Sequence, residues 1–255
     1  MNLRRMNLGV IVQARMSSTR LPGKILKDFY RGHTLLDIIL QKLHRIPDAV
    51  VVVATSTNEA DDALAAHLEA KGERVYRGSE NDVLQRFIGA AEENGIDGIV
   101  RICSDNPFLD VDGLCQLAQA ARDHAEADYV GFRVNGKPSI LTHFGFWGEY
   151  VTLDALKRVA ATTDEKAAHE HVTNYVYTHD DSFKCAWIAA PEFLEGRTDI
   201  RLTIDTPVDF ENAQIIYASL IADGEEFSLQ QIVDCLAQHR EIVERMNEVI
   251  IHNTK

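Results

Sequence analysis

Short apolar runs alternate along the first half of the chain with longer stretches whose hydrophobic positions recur every three or four residues. Val10-Ile11-Val12 predicts a strand that ends in a polar loop. Residues 34–45 (TLLDIILQKLHR) place apolar side chains at helical spacing. Residues 49–54 (AVVVVA) form the continuous β-branched run expected of a strand buried on both faces of a parallel sheet. A helix follows over NEADDALAAHLEAKG, with Thr57 or Asn58 as cap and Gly72 as stop. Arg74-Val75-Tyr76 reads as a short strand and residues 80–94 as a helix, capped by Ser79 or Asn81 and ended by Gly95. GIVRIC (98–103) is a fourth strand, and Asp110 or Asp112 opens another helix reaching about residue 123. This alternation predicts an α/β protein with a doubly wound, mostly parallel sheet. Such sheets bind ligands beyond the carboxyl ends of their strands. The loop after Val12 and the phrase Ser104-Asp105-Asn106-Pro107 both follow such ends, which puts them in one crevice.

From about 128 to 200 the pattern loosens into mixed α/β character. DYVGFRV, SILTHFGFWGEYV and FKCAWIAA read as strands; TLDALKRVAA and TDEKAAHEHVTNYVYTH read as helices. Residues 199–204 (DIRLTI) predict a strand before Asp205, then PVDFENAQIIYASLI a helix with Pro207 in its first turn. Residues 228–252 read as one or two helices. No linker or internal repeat divides the chain. A single domain over 1–255 is expected, with a nucleotide half at about 8–130, a middle region at 131–200 and a closing part at 201–255. The repeated MNL at 1–3 and 6–8 predicts a ragged extension over residues 1–6.

Charge sharpens this picture. The chain carries a net charge of −13, which disfavours nucleic acid or an anionic membrane as main partner. Residues 1–45 nevertheless hold nine Lys or Arg against two Asp or Glu, while the rest hold 17 against 37. An acidic protein that gathers its cations around one loop is built to bind a small anion there. The four cysteines show no C-x-x-C spacing and suit a reduced compartment. No stretch approaches the roughly 20 apolar residues of a membrane helix, so a cytoplasmic location is expected.

The loop carries Arg15, Ser17, Ser18, Thr19, Arg20, Gly23 and Lys24, a collection of donors suited to a polyphosphate. It is not the Walker pattern, which would need Gly at 18 and Ser or Thr at 25, where Ser18 and Ile25 stand. Arg15, Ser18, Arg20 and Lys24 are the expected phosphate contacts, with Gln13 and Ala14 beneath the nucleoside. Pro22-Gly23 bends the backbone so that Lys24 turns back over the phosphates. The plain alternative is a solvated basic loop. Asp105 and Asp205 stand in RICSDNP and RLTIDTP, two phrases that share an apolar run, Asp, one small polar residue and Pro. Carboxylates so held suit Mg²⁺ beside substrate phosphates. Their plain alternative is capping the helices that follow. His169-Glu170-His171 lacks the spacing of a zinc helix, since Thr173 stands where H-E-x-x-H requires His. Phe144, Phe146, Trp147 and Tyr150 are expected in the core or at a subunit contact. No nucleophilic triad is visible, which agrees with direct displacement.

GVIVQARMSSTRLPGKILKD resembles the signature loop of the cytidylyltransferases that activate sugar acids, a family including the CMP-Kdo and CMP-acylneuraminate synthetases. It is most like the spore coat polysaccharide branch of that family. The resemblance implies a nucleotide-diphospho-sugar-transferase fold of Rossmann-like type, with Mg²⁺ on Asp105 and Asp205. It also implies transfer of CMP from CTP to the anomeric hydroxyl of a 2-keto-3-deoxy sugar acid, with release of pyrophosphate, in a homodimer formed through the middle region. Arg15 and Lys24 are its strongest transfers and Ser17 a weaker one. In the shared phrase from Arg77 to Arg86 it places Arg77 near the base and Asp82 in the nucleotide set. It assigns Arg133, His143 and His171 to the acceptor pocket, although HEHVTNYVY departs from the family at His169 and Asn174. Two other readings stay open: an enzyme using another nucleotide, a sugar phosphate or a finished nucleotide sugar, and a non-catalytic nucleotide-binding module.

Overall fold

The computed structural model describes residues 6–222 and 226–252; the extension predicted over residues 1–6 lies almost wholly outside them. The chain runs β1 (Leu8–Gln13), a small hairpin of β2 (Asp28–Tyr30) and β3 (His33–Thr34), α1 (Leu35–Leu43), β4 (Val50–Ser56) and α2 (Asp62–Ala70). It continues through β5 (Arg74–Gly78), α3 (Val83–Glu93), β6 (Gly98–Cys103) and α4 (Val111–Asp123). The middle region holds β7 (Tyr129–Val134), β8 (Lys137–Pro138), β9 (Glu149–Thr152), α5 (Leu153–Thr162), α6 (Lys166–Glu170), α7 (Asn174–Thr178) and β10 (Cys185–Ala189). Three helices close the chain: α8 (Pro207–Ala222), α9 (Leu229–Gln238) and α10 (Arg240–His252).

The central sheet has the order β10-β7-β9-β6-β1-β4-β5, with β8 attached to β7. Strands β6, β1, β4 and β5 are mutually parallel; β9 inserts antiparallel between β6 and β7, and β10 runs parallel to β7. The continuous apolar runs follow from helices on both faces. Val10 and Val12 pack with Leu36 and Ile39 of α1, Leu114 of α4 and Ile216 of α8. Ile11, Val52 and Ala54 face the other way, onto Phe87 of α3 and Leu156 of α5. Phe144, Phe146, Trp147 and Tyr150 are all buried in the first of these layers. The mostly parallel α/β sheet expected from the alternation is present.

Four expectations are corrected. Residues 199–204 form no strand: Leu202 and Thr203 N–H donate to the His143 carbonyl and Ile204 N–H to that of Asp105. The hydrophobic run reports burial of an irregular segment rather than a ladder. Residues 139–151 are strand only from Glu149, after a turn of 3-10 helix and a loop. The helix expected over residues 163–179 is broken into α6 and α7, with Val172 between them at φ 50°. The helix expected from residue 80 starts at Val83, and its cap is Asp82, whose Oδ1 accepts from Gln85 N–H, in place of Ser79 or Asn81.

Candidate active site

The parallel register sets Gln13 of β1 beside Cys103 of β6, so the loop after β1 and Asp105 leave the sheet at the same edge. The loop turns at Gly23, whose φ of 66° is the left-handed conformation that glycine adopts without strain. Gly23 N–H donates to the Met16 carbonyl, closing the loop on itself, and Lys24 opens a 3-10 turn. A second anchor is Asp61, nearly inaccessible, whose Oδ1 accepts from Met16 N–H at 2.7 Å and whose Oδ2 accepts from Ser56. This side chain was hidden in the acidic first turn of a helix, with no local signal of its role.

The turn aims Lys24 inward. Its Nζ lies 3.6 Å from Asp105 Oδ2 and 4.0 Å from Asp205 Oδ1, and it donates to the Ile204 carbonyl. Two carboxylates 100 residues apart in sequence therefore meet around one cation. Asp110, not Asp105, stands at the N-cap of α4, and in the first turn of α8 Thr206 and Asp209 exchange side-chain to backbone bonds. Arg20 adds a second cation, 3.1 Å from Asp205 Oδ1.

Asp205 is held from behind by Arg201, a residue outside the expected site. Arg201 is 2% exposed. It donates to Asp205 Oδ2 at 2.9 Å, grips both oxygens of buried Asp209, and donates to His143 Nδ1 at 2.8 Å. Burial opposes its charge, but Asp209 and Asp205 outweigh that and raise its pKa above the ordinary value. His143 Nδ1 thus faces the arginine as an acceptor. The signal available in sequence was the i, i+4 spacing of Arg201 and Asp205.

The other expected residues distribute around this centre. Gln13 Oε1 accepts from Arg101 Nη2 at 3.4 Å, and Ala14 is buried with its N–H bonded to the Ala54 carbonyl. Ser18 Oγ accepts from Leu21 N–H, and Ser17 is exposed on the loop. Arg15 donates to the Glu80 carbonyl, which ties the loop to the turn before α3. Arg77 binds the Ser56 and Asn58 carbonyls and Asp62, away from the two aspartates. Asp82 is both helix cap and partner of His169. Arg133 lies over the Trp187 ring, 4.3 Å from its centre, and His171 is exposed at the corner between α6 and α7. The structure thus gathers Arg20, Lys24, Asp105 and Asp205, joins His143 to them through Arg201, and sets Arg77, Asp82, Arg133 and His171 on other contacts.

The donor set fits Mg²⁺. It consists of carboxylate oxygens, the Lys24 ammonium stands between them as a cation would, and magnesium commonly takes one or two protein carboxylates with phosphate and water completing its shell. Among the described residues no group of three or more His, Cys, Asp or Glu is arranged to hold a metal, so a phosphate ligand would have to supply part of the shell.

A cationic loop beside paired carboxylates at the carboxyl edge of a parallel sheet is suited to a phosphate-bearing ligand. The chain belongs to the cytidylyltransferase family, whose model matches residues 9–245. It is 37% identical over 218 residues to the spore coat polysaccharide biosynthesis protein SpsF of Bacillus subtilis, covering 81% of this chain and 85% of that protein. The fold matches a cytidylyltransferase from Leptospira borgpetersenii with a TM-score of 0.80 and 29% identity, covering 93% of this chain and 97% of that one. It also matches a CMP:2-keto-3-deoxy-manno-octonic acid synthetase complexed with CTP, with a TM-score of 0.61 and 15% identity over 84% of this chain and 99% of that one.

Proposed function

We propose that this cytidylyltransferase moves CMP from CTP to the anomeric hydroxyl of a 2-keto-3-deoxy sugar acid, with release of pyrophosphate, in the biosynthesis of a surface polysaccharide. The observation that carries the reading is the meeting of Asp105 and Asp205 on Lys24 at the end of a cationic loop. The CTP complex of the octonic acid synthetase supports the nucleotide, and the likeness to SpsF supports the polysaccharide setting.

Gln13 and Ala14 seat the nucleoside, and the amide of Gln13 is steadied by Arg101. Arg15, Ser17, Ser18, Arg20 and Lys24 take the triphosphate, the arginines as two-pronged donors and the lysine as a mobile charge. Mg²⁺ held by Asp105 and Asp205 supplies Lewis-acid polarisation of the α-phosphate when bound. The acceptor hydroxyl attacks the α-phosphorus in line, its proton passes to solvent or a nearby base, and the bond to pyrophosphate breaks. Arg20 and Lys24 neutralise the charge that grows on the leaving group. Likeness to the family assigns Arg77 and Asp82 to the nucleotide set and Arg133, His143 and His171 to the acceptor set; of these, His143 is the one tied to the carboxylate centre, through Arg201. The working form in this reading is a cytoplasmic homodimer joined through the middle region.

The test is pyrophosphate release with CTP, UTP, ATP or GTP, Mg²⁺ and a panel of sugar acids and sugar phosphates. Release that needs CTP and a sugar acid together is the expected result. Equal release with UTP, or with a sugar phosphate in place of the acid, would replace the substrate assignment. Tight CTP binding without turnover on any acceptor would point to a binding module.

A further inference from the structure

A small cavity lies between Asp105 and the segment that leads into β9, lined by Asp105, Asn106, Thr203, Phe144, Phe146 and Trp147 among others. No residue of the 13–24 loop contributes to it. Three chain segments close around it, pinned by the bonds of Ile204 N–H to the Asp105 carbonyl and of Leu202 and Thr203 N–H to the His143 carbonyl. Its volume is about 50 Å³.

Two polar side chains in its wall each leave an oxygen unpaired. Asn106 and Thr203 are 4% and 6% exposed, and neither Asn106 Oδ1 nor Thr203 Oγ1 has a hydrogen-bond partner. Buried polar atoms in native proteins are nearly always satisfied, so two orphans in one cavity beside a reaction centre require an explanation. Room is kept for a partner by Gly145 at φ 66°, where a Cβ would stand 2.8 Å from Asn106 Oδ1 and 3.2 Å from Thr203 Cγ2.

The chemistry of the wall restricts what enters. No Lys, Arg or His lines the cavity among the described residues, while Asp105 does, so a carboxylate or phosphate would be stripped of water and repelled. An amide oxygen needs a donor, whereas a threonine hydroxyl can donate or accept. A hydroxyl does both. A water needs roughly 10–15 Å³ by this kind of measure, so the cavity admits a hydroxyl or hydroxymethyl group and not a sugar ring.

We propose that this cavity is a subsite for a neutral, hydroxyl-bearing end of the acceptor, with Asn106 and Thr203 as its hydrogen-bonding residues and any acceptor carboxylate lying outside it. The inference rests on the reading of Asp105 as part of the reaction centre. It places a specificity determinant on the β9 side of that residue, opposite the nucleotide loop.

The test uses Asn106→Leu and Thr203→Val, which remove the polar atoms while keeping the number and branching of heavy atoms. Wild type and variants are assayed for pyrophosphate release with CTP, Mg²⁺ and a panel containing Kdo, N-acetylneuraminate, ribitol 5-phosphate and glucose, with CTP binding and melting temperature measured in parallel. Both variants are expected to melt no lower than wild type and to keep the KM for CTP within about twofold. Each is expected to raise the KM of the active acceptor by about tenfold, the factor that one lost buried hydrogen bond supports. An unchanged acceptor KM in both variants would mean that the cavity holds a structural water only, leaving the proposed reaction standing. A parallel rise in the KM for CTP would assign the cavity to the nucleotide. Turnover with no compound of the panel, despite CTP binding, would overturn the reaction itself and the subsite with it.

Discussion

The Lys24 ammonium stands between the two carboxylates that would hold the proposed divalent cation. It is 11% exposed and lies within 4.0 Å of Asp105 and Asp205, so a cation held by these oxygens, as proposed, would compete with the lysine for them. Lys24→Met should therefore tighten Mn²⁺ binding in the absence of nucleotide by roughly tenfold, the lower end of what a unit charge at about 4 Å exerts. The same variant should weaken CTP binding far more than CMP binding, because only CTP carries the β and γ phosphates. Electron paramagnetic titration of Mn²⁺ and calorimetry of the two nucleotides check both halves, and unchanged Mn²⁺ affinity would remove the competition. Asp105→Asn and Asp205→Asn should each lower kcat by about 100-fold or more with intact folding, measured by pyrophosphate release and thermal melting. Arg201 keeps Asp209 in the second variant, so its buried charge is not stranded. At this scale the sequence was informative where chemistry repeats in short phrases, as in SDNP and IDTP. It was silent where a contact joins distant segments, as between Asp61 and Met16 or Arg201 and His143.

Among the elements, the corner formed by α3, α6 and α7 joins the turn after β5 to the middle region through one histidine. His169 Nδ1 lies 2.8 Å from Asp82 Oδ2, and its Nε2 lies 2.9 Å from the Thr163 carbonyl. Both partners are acceptors, so only the protonated ring satisfies both. The Thr163 carbonyl first and Asp82 second raise its pKa, against the opposing effect of partial burial. A raised folded pKa contributes stability that is complete below the unfolded histidine value of about 6.5 and is lost as pH rises through the folded value. Urea midpoints of the wild type should therefore fall as pH climbs from 6 to 8.5, and His169→Gln should flatten that slope. A slope unchanged by the substitution would assign the effect to another group. The broken helix here also shows why the middle region was harder to read. Residues 163–179 carry a helical apolar pattern, yet Val172 at φ 50° reverses the chain so that buried Thr173 donates to Glu149. Glu149 in turn accepts from Arg101 at 2.6 Å and from Tyr129 at 2.8 Å. A buried polar network of this kind overrides local propensity, because leaving buried Thr173 without its Glu149 partner would cost what a few helical bonds return. The parallel half was legible because its strands are apolar on both faces and its helices on one, which leaves periodicity undisturbed.

For the whole molecule, the separation of charge matters more than its sum. The chain is −13 overall, yet nine of its 26 Lys and Arg residues fall in the first 45 positions, and three of those, Arg15, Arg20 and Lys24, belong to the loop. Two descriptions of nucleotide capture then predict opposite signs. If the net charge governed the approach, protein and anionic CTP would repel, and added salt would speed association by screening that repulsion. If the cationic loop governs it, salt screens an attraction, and association slows as the Debye length shrinks from about 30 Å at 0.01 M to about 10 Å at 0.1 M. The loop description is the expected one, since the proposed triphosphate would lie against Arg20 and Lys24 while the acidic residues are spread over the remaining sequence. Stopped-flow association of CTP at fixed free Mg²⁺ should therefore slow several-fold between those salt concentrations. Arg20→Gln should shallow the dependence. An association rate that rises with salt would mean that the global field outweighs the loop, and the uneven placement of charge would no longer account for nucleotide capture.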